Sequence, residues 1–271
     1  LHDALPILSS FVAVDIGNSD VKFGLFEGRN LLQVERLETG LLTEIDAVGD
    51  LSQVAPRVAE LLAGQRHAVI GAVVSWAAAR VASLLAGNGT RVTSMTSLSG
   101  FGLKIDYEHG EPGVDRVAAC AEAYARKGGP LVLVGAGTAL HTNVVTGEGV
   151  YLGGAIMPGF RLMFEALTQG TDQIRAVSPS VPSRVIGRST PECVQIGVYH
   201  SWLGGALRLV QRTCEEVGGN PALWLTGGQA EWLKSEFPEA EFDPDLTLKG
   251  LARALCGADR QDNRKSQSRS A

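Results

Sequence analysis

Two stretches of this sequence read as copies of one hairpin, and both are shaped to hold an anion. The first is Phe11-Val-Ala-Val-Asp15-Ile16-Gly17-Asn18-Ser19-Asp20-Val21-Lys22-Phe-Gly-Leu-Phe26. The second is Leu131-Val-Leu-Val-Gly135-Ala-Gly137-Thr138-Ala-Leu-His141-Thr-Asn143-Val-Val145. Each joins an apolar strand to a returning strand through a turn of glycine and small polar residues. With no Cβ in the way, such a turn lets backbone N–H groups approach a phosphate closely. Paired hairpins facing one another across a cleft predict a nucleotide-binding enzyme. The copies differ at one place, since Asp15 of the first aligns with Gly135 of the second.

The rest of the chain alternates strand and helix patterns. Apolar spacing predicts a helix over 51–63, a buried strand over 68–75, a helix over 77–85 and a strand over 91–95. Pro112-Gly113 breaks the chain before a helix from Asp115 to Ala125, closed by Lys127 and Gly128-Gly129. After the second hairpin come a strand over 150–156, helices over 161–167 and 191–216, a strand over 222–225 and a helix over 248–256. The second half restarts the plan of the first. That is the outline of an α/β protein of two duplicated lobes around a central cleft.

Bulk properties narrow the function. An apolar share of 45% and a charged share of 20% over 271 residues are those of a folded, water-soluble chain. A net charge of −5 gives no electrostatic reason to expect nucleic acid or an anionic membrane as partner, and no stretch is long and apolar enough to span a bilayer. The four cysteines include no C-x-x-C pair and the five histidines show no ligand spacing, which points to reduced thiols and away from zinc. The four tryptophans lie in apolar runs and are expected in the core. Residues 1–8, lacking Met, read as a foreign or truncated start, and the polar stretch 259–271 as a disordered tail.

Phosphoryl transfer needs a carboxylate for Mg²⁺, backbone donors for the phosphates and a cation for developing charge. Asp15, the turn Gly17-Asn18-Ser19 and Lys22 supply those types, although D-x-G-N is also ordinary hairpin chemistry. Asp115 has the chemistry of a base for a substrate hydroxyl and Arg116 that of an anion clamp; equally, Asp115 after Pro-Gly reads as a helix N-cap, with Arg116 solvated. Thr190 before Pro191 also reads as a cap, Thr226-Gly227-Gly228 as a strand-to-helix turn, and His141 as a structural residue on its strand.

The ordered set of motifs is more specific than any one of them. Asp15-Ile-Gly-Asn-Ser-Asp-Val-Lys22, Gly113-Val-Asp-Arg116, Ala136-Gly-Thr-Ala139, Gly153-Gly-Ala-Ile-Met-Pro-Gly159, Ser189-Thr190, Thr226-Gly-Gly228 and Leu246-Thr-Leu-Lys-Gly-Leu251 follow one another along nearly the whole chain. In this the sequence resembles the type III pantothenate kinases. The resemblance implies an actin-like ATPase and sugar-kinase fold of two ribonuclease-H-like lobes, here 9–112 and 113–245, with a terminal helix at 246–258 returning to the first lobe. It implies ATP on Asp15, Ile16, Gly17, Asn18, Ser19, Asp20, Val21, Lys22 and Thr138, and pantothenate on Tyr107, Gly113, Val114, Asp115, Arg116 and Thr190. Asp115 would accept the proton of the substrate hydroxyl. Mg²⁺ near Asp15, a monovalent cation (K⁺ or NH₄⁺), a cytoplasmic homodimer and 4′-phosphopantothenate as product complete what the resemblance implies.

Three departures stand out. Gly135 lies where the family usually has the Asp that helps bind the monovalent cation, Asn143 replaces a second usual Asp, and the stretch from Tyr107 to Gly113 is slightly compressed. Two other functions remain in play: a degenerate paralogue that binds nucleotide or pantothenate as a regulator, and a kinase of another small hydroxy acid or sugar.

Overall fold

The computed structural model describes residues 10–48 and 50–269, so the start at 1–8 lies outside the described residues. Two compact units make up the chain, residues 1–122 with 246–271, and residues 123–245.

The first unit is built on a five-stranded sheet. Its hairpin is β1 (Phe11–Ile16) and β2 (Asp20–Glu27), extended by β3 (Asn30–Glu38). Then come helices α1 (Leu42–Val48), α2 (Leu51–Val54) and α3 (Pro56–Leu62), strand β4 (His67–Ala72), helix α4 (Ser75–Gly87) and strand β5 (Arg91–Met95). The order is β3-β2-β1-β4-β5, antiparallel across the hairpin and β3, parallel from β1 through β4 to β5. Almost every residue of β1 is buried, as a central strand covered on both faces requires. Val12, Val14, Ile16, Ile70, Val81 and Leu85 belong to its core. A two-residue strand, β6 (Lys104–Ile105), precedes α5 (Val114–Lys127).

The second unit repeats the plan. Its strands are β7 (Leu131–Ala136), β8 (Ala139–Val145), β9 (Val150–Gly153), β10 (Ile156–Pro158), β11 (Ala222–Thr226) and β12 (Glu241–Phe242). Here β9-β8-β7-β11-β12 matches β3-β2-β1-β4-β5 strand for strand, with the same antiparallel hairpin and the same parallel crossovers. Helices α6 (Phe160–Gly170) and α7 (Thr190–Val217) cover it, with Phe160 set edge-on to Phe164 and Trp232 over buried Trp202. The last helix, α8 (Leu246–Arg269), belongs to the first unit: Leu248 meets Gly24, Leu251 fills the space beside Gly71, and Gly250 lies against the backbone of Ala118.

Several expectations need correction. The helix over 51–63 is two helices, because Pro56 pushes Ala55 out of helical geometry to φ −141°. The strand over 150–156 is also two: β9 and β10 both pair with β8, and are separated at Gly153-Gly154, where φ is +97° and +159°. Trp76 is 51% exposed at the start of α4, unlike Trp202 and Trp224. The division between units falls inside α5 after Glu122, past the Pro112-Gly113 break, because the front of α5 is anchored within the first unit. Glu122 there is 4% exposed and held by Arg253 at 2.7 Å and Arg29 at 3.3 Å. Backbone helix runs on to residue 269, past its expected end at 258, since no Pro or Gly follows Gly257 to stop it. All four cysteines are free thiols, Cys120 buried and Cys193 exposed. Among the described residues no helix is long and apolar enough to cross a membrane.

Candidate active site

In the first unit the hairpin turn is held open by its own backbone. Gly17 N–H donates to the Asp20 carbonyl at 3.0 Å, and a Cβ at Gly17 would meet that oxygen at 3.2 Å. Asn18 and Ser19 stay exposed at the tip. The turn is braced by Thr39, whose Oγ1 donates to the Gly17 carbonyl at 2.9 Å and whose N–H donates to the Ser19 carbonyl at 2.8 Å. Thr39 is a residue that sequence reading missed. It follows an edge strand with no clear alternation, and only the fold shows that it is buried beneath the turn.

Asp15 and Lys22 stand directly opposite each other in the β1–β2 register. Burial pushes the Asp15 carboxyl up to about 7; the Lys22 ammonium opposes that rise and the Asp115 carboxylate adds to it. Lys22 and Asp115 are therefore both within electrostatic reach of Asp15.

Asp115 is the second residue of α5, not its cap. The helix begins at Val114, and the Gly113 carbonyl accepts from the N–H groups of Arg116 and Val117 at 3.1 and 3.2 Å. The carboxylate folds back over Gly113, where an added Cβ would lie 2.5 Å from Asp115 Oδ1, so a side chain there would displace the carboxylate. That Oδ1 is buried and has no hydrogen-bond partner among the described residues. Thr247 of α8 reaches the Asp115 carbonyl through its hydroxyl at 3.5 Å, fixing the first turn of α5. Arg116 is 7% exposed and so is not the solvated cation of the alternative reading. Tyr107 lies on the loop before α5, 39% exposed.

The second unit carries the other predicted residues. Thr138 is exposed at the tip of the β7–β8 turn, where its carbonyl accepts from Gly159 N–H at 3.0 Å. Thr226 pairs with Gly135 in register, and Gly227, at φ +95°, packs on the backbone of Ala136, so Thr226-Gly-Gly228 braces the hairpin. Thr190 is the first residue of α7. The cap is Ser189, whose side chain accepts from Glu192 N–H, so the Thr190 hydroxyl is not spent on capping. It borders a groove of about 1170 Å³ that Met163, Ile174 and Cys193 also line.

The implied ions fare differently. Mg²⁺ is bound through one or two carboxylates together with substrate phosphates and water, so Asp15 beside the open turn is a donor set of the right kind. No group of three or more His, Cys, Asp or Glu among the described residues is arranged to hold a metal ion by itself. The monovalent cation does not fit its expected place. Position 135 offers no carboxylate, and a Cβ there would run into the His141 ring, 2.9 Å from Nδ1 and nearer still to Nε2.

Comparison with known proteins agrees with the motif order. A family model described as "Type III pantothenate kinase" matches residues 11–212. The type III pantothenate kinase of Salinispora arenicola is 33% identical over 249 residues, covering 89% of this chain and 96% of its own length. Among solved structures, a protein described as a Baf family transcriptional activator from Campylobacter jejuni superposes with a TM-score of 0.55 at 19% identity, over 94% of this chain and all of its own. The activator of 2-hydroxyisocaproyl-CoA dehydratase from Clostridium difficile, solved with bound ADPNP, gives 0.50 at 11% identity, over 95% of this chain and 97% of its own. These likenesses show the fold alone, an α/β architecture that the chain shares with both proteins.

Proposed function

The chain belongs to the type III pantothenate kinase family, phosphotransferases that use ATP to make 4′-phosphopantothenate on the way to coenzyme A, and we propose that Asp115 is the base of this reaction. The observation that carries the assignment is the buried, unpartnered Oδ1, a carboxylate oxygen with acceptor capacity that the described protein groups do not use. The primary hydroxyl of pantothenate gives its proton to that oxygen while its own oxygen attacks the γ-phosphorus. The bond from Pγ to the β,γ-bridging oxygen breaks, and ADP leaves with that electron pair. Lys22 balances phosphate charge beside Asp15, and the N–H groups and side chains of Ile16 to Val21, with Thr138, bind the phosphates. Asp15 would hold Mg²⁺, which supplies charge neutralisation to the phosphates. Tyr107, Gly113, Val114, Arg116 and Thr190 are assigned to pantothenate.

The family relatives are kinases by name, which favours turnover over a non-catalytic regulator. A cytoplasmic homodimer is part of the same reading, and light scattering on the purified chain tests the dimer. The deciding assay is direct. Protein with ATP, Mg²⁺ and pantothenate should yield ADP and phosphopantothenate by mass spectrometry, and Asp115→Asn should lower kcat by at least about 100-fold without shifting the melting temperature. An active Asp115→Asn variant would remove Asp115 from the role of base.

A further inference from the structure

We infer that this kinase dispenses with a monovalent cation, because the His141 imidazole occupies the space that a carboxylate at position 135 would use to hold one. The inference rests on the kinase reading above and deepens it. His141 stands directly opposite Gly135 in the β7–β8 register, and the ring lies over the glycine so closely that any side chain at 135 would collide with it. The two departures at Gly135 and Asn143 are thus one exchange. Glycine makes the room, and Asn143 aims the ring that fills it.

The aiming is specific. Asn143 is wholly buried; its Nδ2 contacts the Leu133 carbonyl at 3.5 Å and His141 Nδ1 at 2.8 Å, while its Oδ1 accepts from the Tyr151 hydroxyl at 2.9 Å. A carbonyl only accepts, so the amide must turn Nδ2 toward Leu133 and, with it, toward the imidazole. Nδ1 of His141 is then the acceptor, and in the neutral ring the hydrogen is on Nε2. An N–H edge, not a carboxylate, is what this place presents. A hard monovalent cation needs oxygen ligands and gains most from an anionic one, whereas an N–H donor repels it.

The test separates this inference from the kinase reading. Turnover is measured in tetramethylammonium chloride and again with KCl or NH₄Cl substituted at constant ionic strength. Binding of Mg·ADPNP is measured by calorimetry in the same salts, which requires no turnover. Both kcat/KM and nucleotide affinity are expected to change by less than about twofold, and stimulation or tightening of about tenfold or more by K⁺ or NH₄⁺ overturns the inference. The double variant Gly135→Asp/His141→Ala, which exchanges ring for carboxylate, is expected to bind Mg·ADPNP about tenfold more tightly in KCl than in tetramethylammonium chloride. A folded double variant as indifferent to K⁺ as the wild type also overturns it. Thallium-205 NMR of the unmodified protein decides the matter if that variant does not fold, a saturable bound resonance counting against the inference and its absence for it. Failure of the kinase reading looks different: no phosphopantothenate in any salt.

Discussion

The two hairpins share a backbone plan and differ in what faces what across it. In the first, Asp15 stands opposite Lys22, a carboxylate and an ammonium at the base of a glycine turn. In the second, the equivalent facing positions hold Gly135 and His141, an empty Cα beneath a ring. One frame places opposite charges where a nucleotide's phosphates are proposed to bind. The other places an imidazole ring held by buried Asn143, whose amide oxygen accepts in turn from the Tyr151 hydroxyl. Duplication of a fold therefore conserves strand order and register more readily than the chemistry hung on them.

The sharpest way to break this contrast is to make the second hairpin resemble the first. Gly135→Asp alone drives a carboxylate into the His141 ring, and overpacking with a buried charge should cost about 3 kcal/mol, a fall in melting temperature of order 10 °C. If calorimetry finds that variant as stable as the wild type, the ring does not fill the space. Asn143→Leu keeps the volume but takes a partner from both Tyr151 and His141, for an expected loss of about 2 kcal/mol by urea denaturation.

The first hairpin answers to pH instead. Its Asp15 titrates near 7 in the folded chain against an ordinary value of 3.8, so between those limits the folded state binds more protons than the unfolded one. Stability conferred by the protonated carboxyl is accordingly lost as pH rises from about 4 to about 7. Asp15→Asn removes the titration. Its melting temperature should gain on the wild type's across that window, by the equivalent of about 4 kcal/mol at the upper end, and hold that lead at higher pH. A difference that is flat with pH would mean the carboxyl is well solvated. The smallest effect is expected from Thr39→Val, which removes one hydrogen bond to the turn and should cost about 1 kcal/mol and weaken Mg·ADPNP binding a few-fold by calorimetry.

Both hairpins, the strand–helix alternation and the duplicated plan were legible because their signals are local: an apolar strand, a glycine turn, a helix period. Edge strand β3 was not, since most of it is exposed and its Leu-Leu-Gln-Val-Glu-Arg-Leu run lacks the alternation of a half-buried strand. The bland readings of Asp115 as a cap and Arg116 as solvated failed for a related reason. A helix start is uncertain by a residue or more from sequence, and one residue decides whether that carboxylate caps the helix or folds back over Gly113. His141 was the hardest to read. Its spacing says only that it lies on a strand, and what it displaces depends on a cross-strand partner that is informative precisely by having no side chain.

The first unit is assembled from both ends of the chain, residues 1–122 needing α8 to cover Gly24 and Gly71, while the second is one continuous stretch. On the ribosome the later-made half can therefore reach its native form before the earlier one, whose sheet waits with an uncovered face until the final helix emerges. A stalled or clipped product ending after Asp245 would carry a finished second unit and a first unit exposed to aggregation.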